Sequence, residues 1–213
     1  MTIALILVEI FTVIMQRNVC EKAFDRKPAG TAVQAMVWAA FYIISNVTTY
    51  FFELPSWLNM VIFSVTFFGV LTWLYEGSIR IKLVLVLFLC LIGMLSEVMV
   101  CFIGILCGID IIHMMGNTEV AIMYTILSKL VWFVEIKIAL LFLKKNKNIV
   151  IRNMDWLEVF IVPVSSIFIV MAIFVPLTDE YVWAKLIASI LILIVNLFTF
   201  YNYNELQEKA LYQ

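Results

Sequence analysis

Histidine is almost missing from this chain. The one imidazole is His113, and the four cysteines, at 20, 90, 101 and 107, include no C-x-x-C pair, so neither a zinc site nor a disulfide framework is expected. Charge is scarce as well: only 14% of the 213 residues are Asp, Glu, Lys or Arg, against 65% hydrophobic and a mean hydropathy of +1.08. No soluble domain of this size has enough interior to hide so much apolar surface. The 14 basic and 15 acidic residues leave a formal net charge of -1, which excludes the basic field that draws nucleic acid. Gly/Ser linkers, internal repeats and low-complexity tracts are absent, which argues for one membrane domain. The opening run "MTIALILVEIFTVIMQRNVC" lacks a basic leader and an A-x-A cleavage pattern and contains Glu9; it reads as a retained first helix.

What the chain does have is apolar runs long enough to cross a bilayer. Roughly 20 residues are needed, because ~1.5 Å of rise per residue must cover ~30 Å of hydrocarbon. Helices are expected at about 2–16, 31–52, 55–75, 81–108, 118–143, 156–176 and 181–204, the first being short for a span. The fold class is therefore an all-α polytopic membrane bundle of about seven helices, since unpaired backbone cannot face lipid and no alternating barrel strands are present.

The connections alternate in charge. "QRNVCEKAFDRKPAG", "YEGSIRIK" and "KKNKNIVIRNMDW" are rich in Lys and Arg, whereas "ELPSW", "DIIHMMGNTE" and "PLTDEY" have neither. The positive-inside rule makes the first set cytoplasmic, placing Cys20 inside, the N-terminus outside and the C-terminus in the cytoplasm. Pro55 and Pro176 suit external turns, and Trp57, Trp156 and Trp183 suit the interfacial aromatic belt.

Charges inside the apolar runs are the candidate site. In "SKLVWFVEIKIALLF" three charges, Lys129, Glu135 and Lys137, interrupt a segment fit for lipid. Glu97 lies about 15 residues, roughly 22 Å, beyond Lys82, and Lys129 lies about as far before Lys144, so the two opposite charges share a depth on adjacent antiparallel helices. Neither has a countercharge three or four positions away on its own helix. Glu135, Lys137 and Glu9 form a second layer nearer the cytoplasm by the same count. The plain alternative is that Lys137 snorkels to the headgroups and that Glu9 or Glu135 is a protonated acid. Ser96, Ser128 and Asn196 are suited to bridging helices or simply to packing. A Cys101 or Cys107 nucleophile with His113 lacks an orienting Asp, Asn or Glu, so no enzyme motif or cofactor site is assigned.

The succession "VEIFTVIMQR", "LTWLYEGSIRIKLVLVLFLCLIGMLSEVMV", "ILSKLVWF" and "FYNYNELQEKALYQ" resembles the membrane sensor part of GHKL-type bacterial sensor histidine kinases, the AgrC-like group, over essentially the whole chain. The resemblance rests on the YEGS turn, an intramembrane Glu, an SK pair and a tyrosine-rich exit helix. It implies a multi-pass receptor in a bacterial cell membrane, working as a homodimer, that binds an extracellular peptide or small-molecule signal. Residues 1–204 would be the sensor bundle and 205–213 the start of a cytoplasmic signalling helix, with Tyr201, Tyr203 and Leu206 at the output. A kinase domain would lie after Gln213, either as the rest of a longer chain or, for a stand-alone relative, not at all. Phe200, Tyr203, Leu206 and Ala210 do share one helical stripe, as a coiled-coil start requires. The rival expectation is a small transporter or channel with Glu97 and Lys129 lining its path.

Overall fold

The computed structural model describes residues 3–50, 56–109, 118–142, 153–174 and 182–211. Among these it is all-α: α1 (Ile3–Ala23), α2 (Thr31–Tyr50), α3 (Ser56–Leu74), α4 (Ile79–Leu106), α5 (Thr118–Phe142), α6 (Asn153–Phe174) and α7 (Val182–Leu211). The inner five lie within a few residues of the apolar runs that signal them. The first and last run on, α1 to Ala23 and α7 to Leu211. Hydropathy marks where a chain tolerates hydrocarbon, whereas a helix continues wherever its residues favour it, as "NELQEKAL" does. Pro55, His113, Pro176 and residues 143–152 lie outside the described residues, as do the side chains of Trp57 and Trp156.

Among the described residues, three helical stretches are long and apolar enough to cross a membrane: Thr31–Thr48, Ile79–Leu106 and Val182–Thr199. Shorter apolar stretches occupy Leu58–Leu74 and Phe160–Val170. By contrast, α5 carries Glu119, Lys129, Glu135 and Lys137, and α1 carries Glu9, Arg17, Glu21 and Lys22. The bundle also turns broad apolar faces outward. On α7 alone Trp183, Ile187, Leu191, Ile194 and Phe198 are exposed. Such continuous apolar surface is that of a membrane protein, not of one stable in water.

At the centre stands α4, packed against α3, α5, α6 and α7. Apart from Arg80 and Lys82 at its start and Glu97, its charged residues, it is apolar, as a helix packed among others must be. Its first half joins one core with α1, α2, α3 and α5, where Trp38, Phe41, Phe63 and Phe67 form a run of ring contacts. Its second half joins a separate core with α6 and α7, built on Leu95, Phe102, Ile167 and Val170. Here α6 contains Pro163, whose missing N–H removes the donor for the Val159 carbonyl.

The basic α1–α2 and α3–α4 connections share one end of the bundle. The α1–α2 connection pairs with the α3–α4 turn through an Arg26–Tyr75 bridge, with Lys27 N donating to Leu74 O (2.9 Å) and Glu76 N to Asp25 O (2.8 Å). Gly77, at φ 116°, makes the turn that brings Tyr75 and Glu76 round to that pairing. Lys22 Nζ donates to the Leu140 carbonyl, which brings the last turns of α5 to the same end. Cys20 lies at this end too, fully enclosed.

Candidate functional site

Two contacts set the registers of the polar layers. A Cβ built on Gly93 of α4 would lie 4.0 Å from Trp132 Nε1 of α5, and the Tyr124 hydroxyl donates to the Glu97 carbonyl at 2.7 Å. Rising numbers on α4 therefore meet falling numbers on α5, so the two are antiparallel. Glu97 is one turn beyond Gly93, and Lys129 is one turn before Trp132, so both belong to one level. The rings of Phe11 and Phe133 are 5.4 Å apart, and Val19 shares a small apolar void with Ile136, Ala139 and Leu140. Thus α1 runs parallel to α5, and Glu9 falls near the level of Lys129.

The outer layer accordingly holds Glu9, Glu97 and Lys129. Glu97 and Lys129 are not within ion-pair distance of one another among the described contacts. Glu97 is on the accessible surface of α4, while Glu9 and Lys129 are half-buried. Counting back from Arg17 groups Glu9 with Glu135, but α1 continues to Ala23, so Arg17 is well inside the helix and that count starts from the wrong place.

Glu135 stands apart on the inner side. It is 3% exposed, and neither carboxylate oxygen has a hydrogen-bond partner. Lys137, two residues on, points away: it is exposed, and its Nζ lies 5.3 Å from the Phe133 ring centroid. That arrangement matches a long side chain laid over an aromatic face with its head leaving the core. Gln16 of α1 is a second buried polar residue that sequence reasoning passed over, also 3% exposed with its Oε1 unpartnered. Standing beside Arg17, it reads as part of the basic connection; its buried neighbours Thr12, Val19 and Cys20 are the signal that it faces inward.

At the basic end Arg17, Glu21, Arg26, Lys27 and Lys82 are engaged. Arg17 Nε donates to Glu21 Oε1 at 2.7 Å, and Arg26 reaches the same oxygen. Burial alone would raise the Glu21 carboxyl, but hydrogen bonds and charge from Arg26 and Arg17 win and hold it below the usual carboxylate range. Lys82, nearly buried, turns its Nζ to the Tyr75 carbonyl at 2.7 Å, and Lys27 Nζ reaches the Thr72 carbonyl at 2.9 Å.

Of the polar groups within the apolar runs, only one of the three considered from sequence bridges helices. Asn196 Nδ2 of α7 donates to Ser166 Oγ of α6 at 2.8 Å, both residues being buried. Ser96 and Ser128 instead bond carbonyls of their own helices. Val182, Ser189 and Asn196 form a buried column on α7 at a seven-residue spacing. Tyr201 is 41% exposed; the side chains of Tyr203 and Leu206 lie outside the described residues. No cluster of three or more His, Cys, Asp or Glu suited to a metal occurs among the described residues. Against protein-family models, curated proteins and solved structures, the chain matches none.

Proposed function

We propose that this bundle is a signal-receiving membrane domain that passes an external cue, a peptide or small molecule, along its last helix to a cytoplasmic GHKL-type histidine kinase. The observation that carries the reading is α7 itself. It is 30 residues long, with an apolar span at Val182–Thr199 and the polar sequence NYNELQEK among its last ten residues. At ~1.5 Å per residue the whole helix is about 45 Å, so roughly 18 Å projects beyond that span as one continuous rod. The same helix packs on α4, α5 and α6, so any ligand that favours one packing of the bundle biases the rod directly.

In this reading all seven helices cross the bilayer, the N-terminus is outside, and the end that gathers the basic connections faces a bacterial cytoplasm. Charged helices α1 and α5 pack against one another, with α5 also on α4, which lets their acids and lysines avoid lipid. The exposed apolar face of α7 is the surface on which two copies would pair to align their kinase modules.

Helical phase tests the proposal. With a GHKL kinase module joined after Gln213, inserting one to four alanines at the junction should make autophosphorylation oscillate, because each residue turns the output by about 100 degrees. A flat response would mean that α7 is not the output element.

A small transporter or channel remains the second reading, and one observation favours it: Glu97 and Lys129 are opposite charges at one level of adjacent helices without direct contact. Proteoliposomes that carry solute or ion flux abolished by Lys129→Met would decide for that reading.

A further inference from the structure

Helices α1 to α5 close a ring: each packs on the next, and α5 packs back on α1. The ring is filled from its basic end outward, its buried apolar residues reaching Met15 on α1, Phe41 on α2 and Phe67 on α3, with Phe63 packed against them. Beyond that level each helix carries one polar side chain on its inner face. On α1, Glu9 continues the buried stripe of Thr12, Gln16 and Val19. On α2, Asn46 follows Phe41 by a little over a turn and has its Oδ1 buried. On α3, Asn59 is one turn before Phe63, on the stripe that runs through Phe67. On α4, Glu97 lies two turns beyond Cys90, which bonds Ser64 of α3, and one beyond Gly93, which faces Trp132 of α5, so it points between α3 and α5. On α5, Lys129 lies two turns before Ile136, which shares the apolar void with Val19 of α1 and Leu85 of α4.

These residues also share a level. The Phe41 ring meets that of Phe63, and Ser64 meets Cys90 at 3.2 Å, so Asn46 and Asn59 lie outward of those contacts at nearly the depth of Glu97. With Lys129 and Glu9 at that depth as well, all fall within about one turn, roughly 5 Å. Among the described residues no hydrogen bond or ion pair engages the side chain of Glu9, Glu97 or Lys129, and Glu97 is accessible although it faces into the ring. The ring is therefore open at its outer end.

An inward-facing layer of two acids, one ammonium and two amides, with its charges unpaired, is arranged for a guest. The guest must bring both signs, a cation for the acids and an anion for Lys129, and charges held beyond ion-pair distance leave the space it spans. It must also be apolar at one end, because the rings of Phe41 and Phe63 floor the layer. A lipid with two acyl chains does not enter a closed ring of helices, so the guest is soluble. We propose that the outer half of the α1–α5 ring binds a small zwitterion with an apolar side chain, the class of free α-amino acids, holding its ammonium at Glu97 and Glu9 and its carboxylate at Lys129. This deepens the receptor reading by giving the class of the cue, and rests on that reading for the side of the membrane from which the guest enters.

Equilibrium binding of a carbon-14 amino-acid mixture to the full chain in phosphatidylglycerol nanodiscs, with empty nanodiscs as the blank, tests the site. Saturable binding is expected, weakened at least about tenfold in Lys129→Met and in Glu97→Gln and unchanged in Lys137→Met. No saturable binding, or native binding in both Lys129→Met and Glu97→Gln, overturns the proposal. Should those two variants fail to fold, competition on the native chain decides. N-acetyl amino acids lack the ammonium and amino-acid amides lack the carboxylate, so each should compete at least about tenfold more weakly than free amino acids, whereas equal competition refutes a zwitterion site. Binding that leaves autophosphorylation of the kinase fusion unchanged would uphold the site and sink the receptor reading.

Discussion

Removing the Asn196–Ser166 hydrogen bond should loosen α7 from α6 by a small, measurable amount. The bond is 2.8 Å long, Asn196 is 2% exposed and Ser166 6%, so water does not compete for either group. The same Asn196 amide also donates to the Ile192 carbonyl on its own helix, at 2.8 Å. A single Asn196→Ala change therefore mixes interhelical with local losses, and a double-mutant cycle with Ser166→Ala is required to isolate the bridge. Interhelical hydrogen bonds in membranes average about 0.6 kcal/mol and reach about 1.7, because the separated helices find other partners. The enclosed setting and short distance put this coupling in the upper part of that range, at about 1–1.5 kcal/mol. Reversible unfolding by SDS titration in mixed micelles gives the four stabilities. A coupling within about 0.3 kcal/mol of zero would show that the observed bond does not hold the two helices together. In the kinase fusion the same pair of changes should alter basal autophosphorylation if α7 is the output rod.

Topology, charge coupling and acid stability give three more tests. Cys20 is a poor reporter of sidedness because it is enclosed, whereas Cys107, just beyond the other end of α4, is exposed; in a chain retaining only Cys107, an impermeant maleimide should label intact cells. Labelling that requires opened membranes would reverse the proposed orientation. Glu97→Gln and Lys129→Gln should each lower stability, and the double change should cost less than their sum, since the two opposite charges share one level of adjacent helices; strict additivity would remove that coupling from the account. For Glu21 the folded-state carboxyl is lowered by its two arginines, so its stabilisation is complete above the unfolded value and disappears as pH falls through the folded one. Native protein should thus lose thermal stability on acidification below the ordinary carboxylate range, and Glu21→Gln should lose less over the same interval.

Composition and hydropathy by themselves determined the helical class, the positions of the inner helices and the grouping of basic connections at one end. These are properties of single segments: a run of apolar residues needs an internally bonded backbone in lipid whatever it packs against. The common level of Glu97 and Lys129 was also legible, because rise per residue converts sequence separation into depth along two antiparallel helices. Which charges meet was not. Glu9 joins Glu97 because α1 lies alongside α5 in a parallel register, a choice made by side-chain packing between elements more than a hundred residues apart. Gln16 and Glu135 are likewise ordinary residues in their own segments; only the assembly of the helices into a bundle buries both. Burial is a property of the assembled bundle, and so is the chemistry that burial demands.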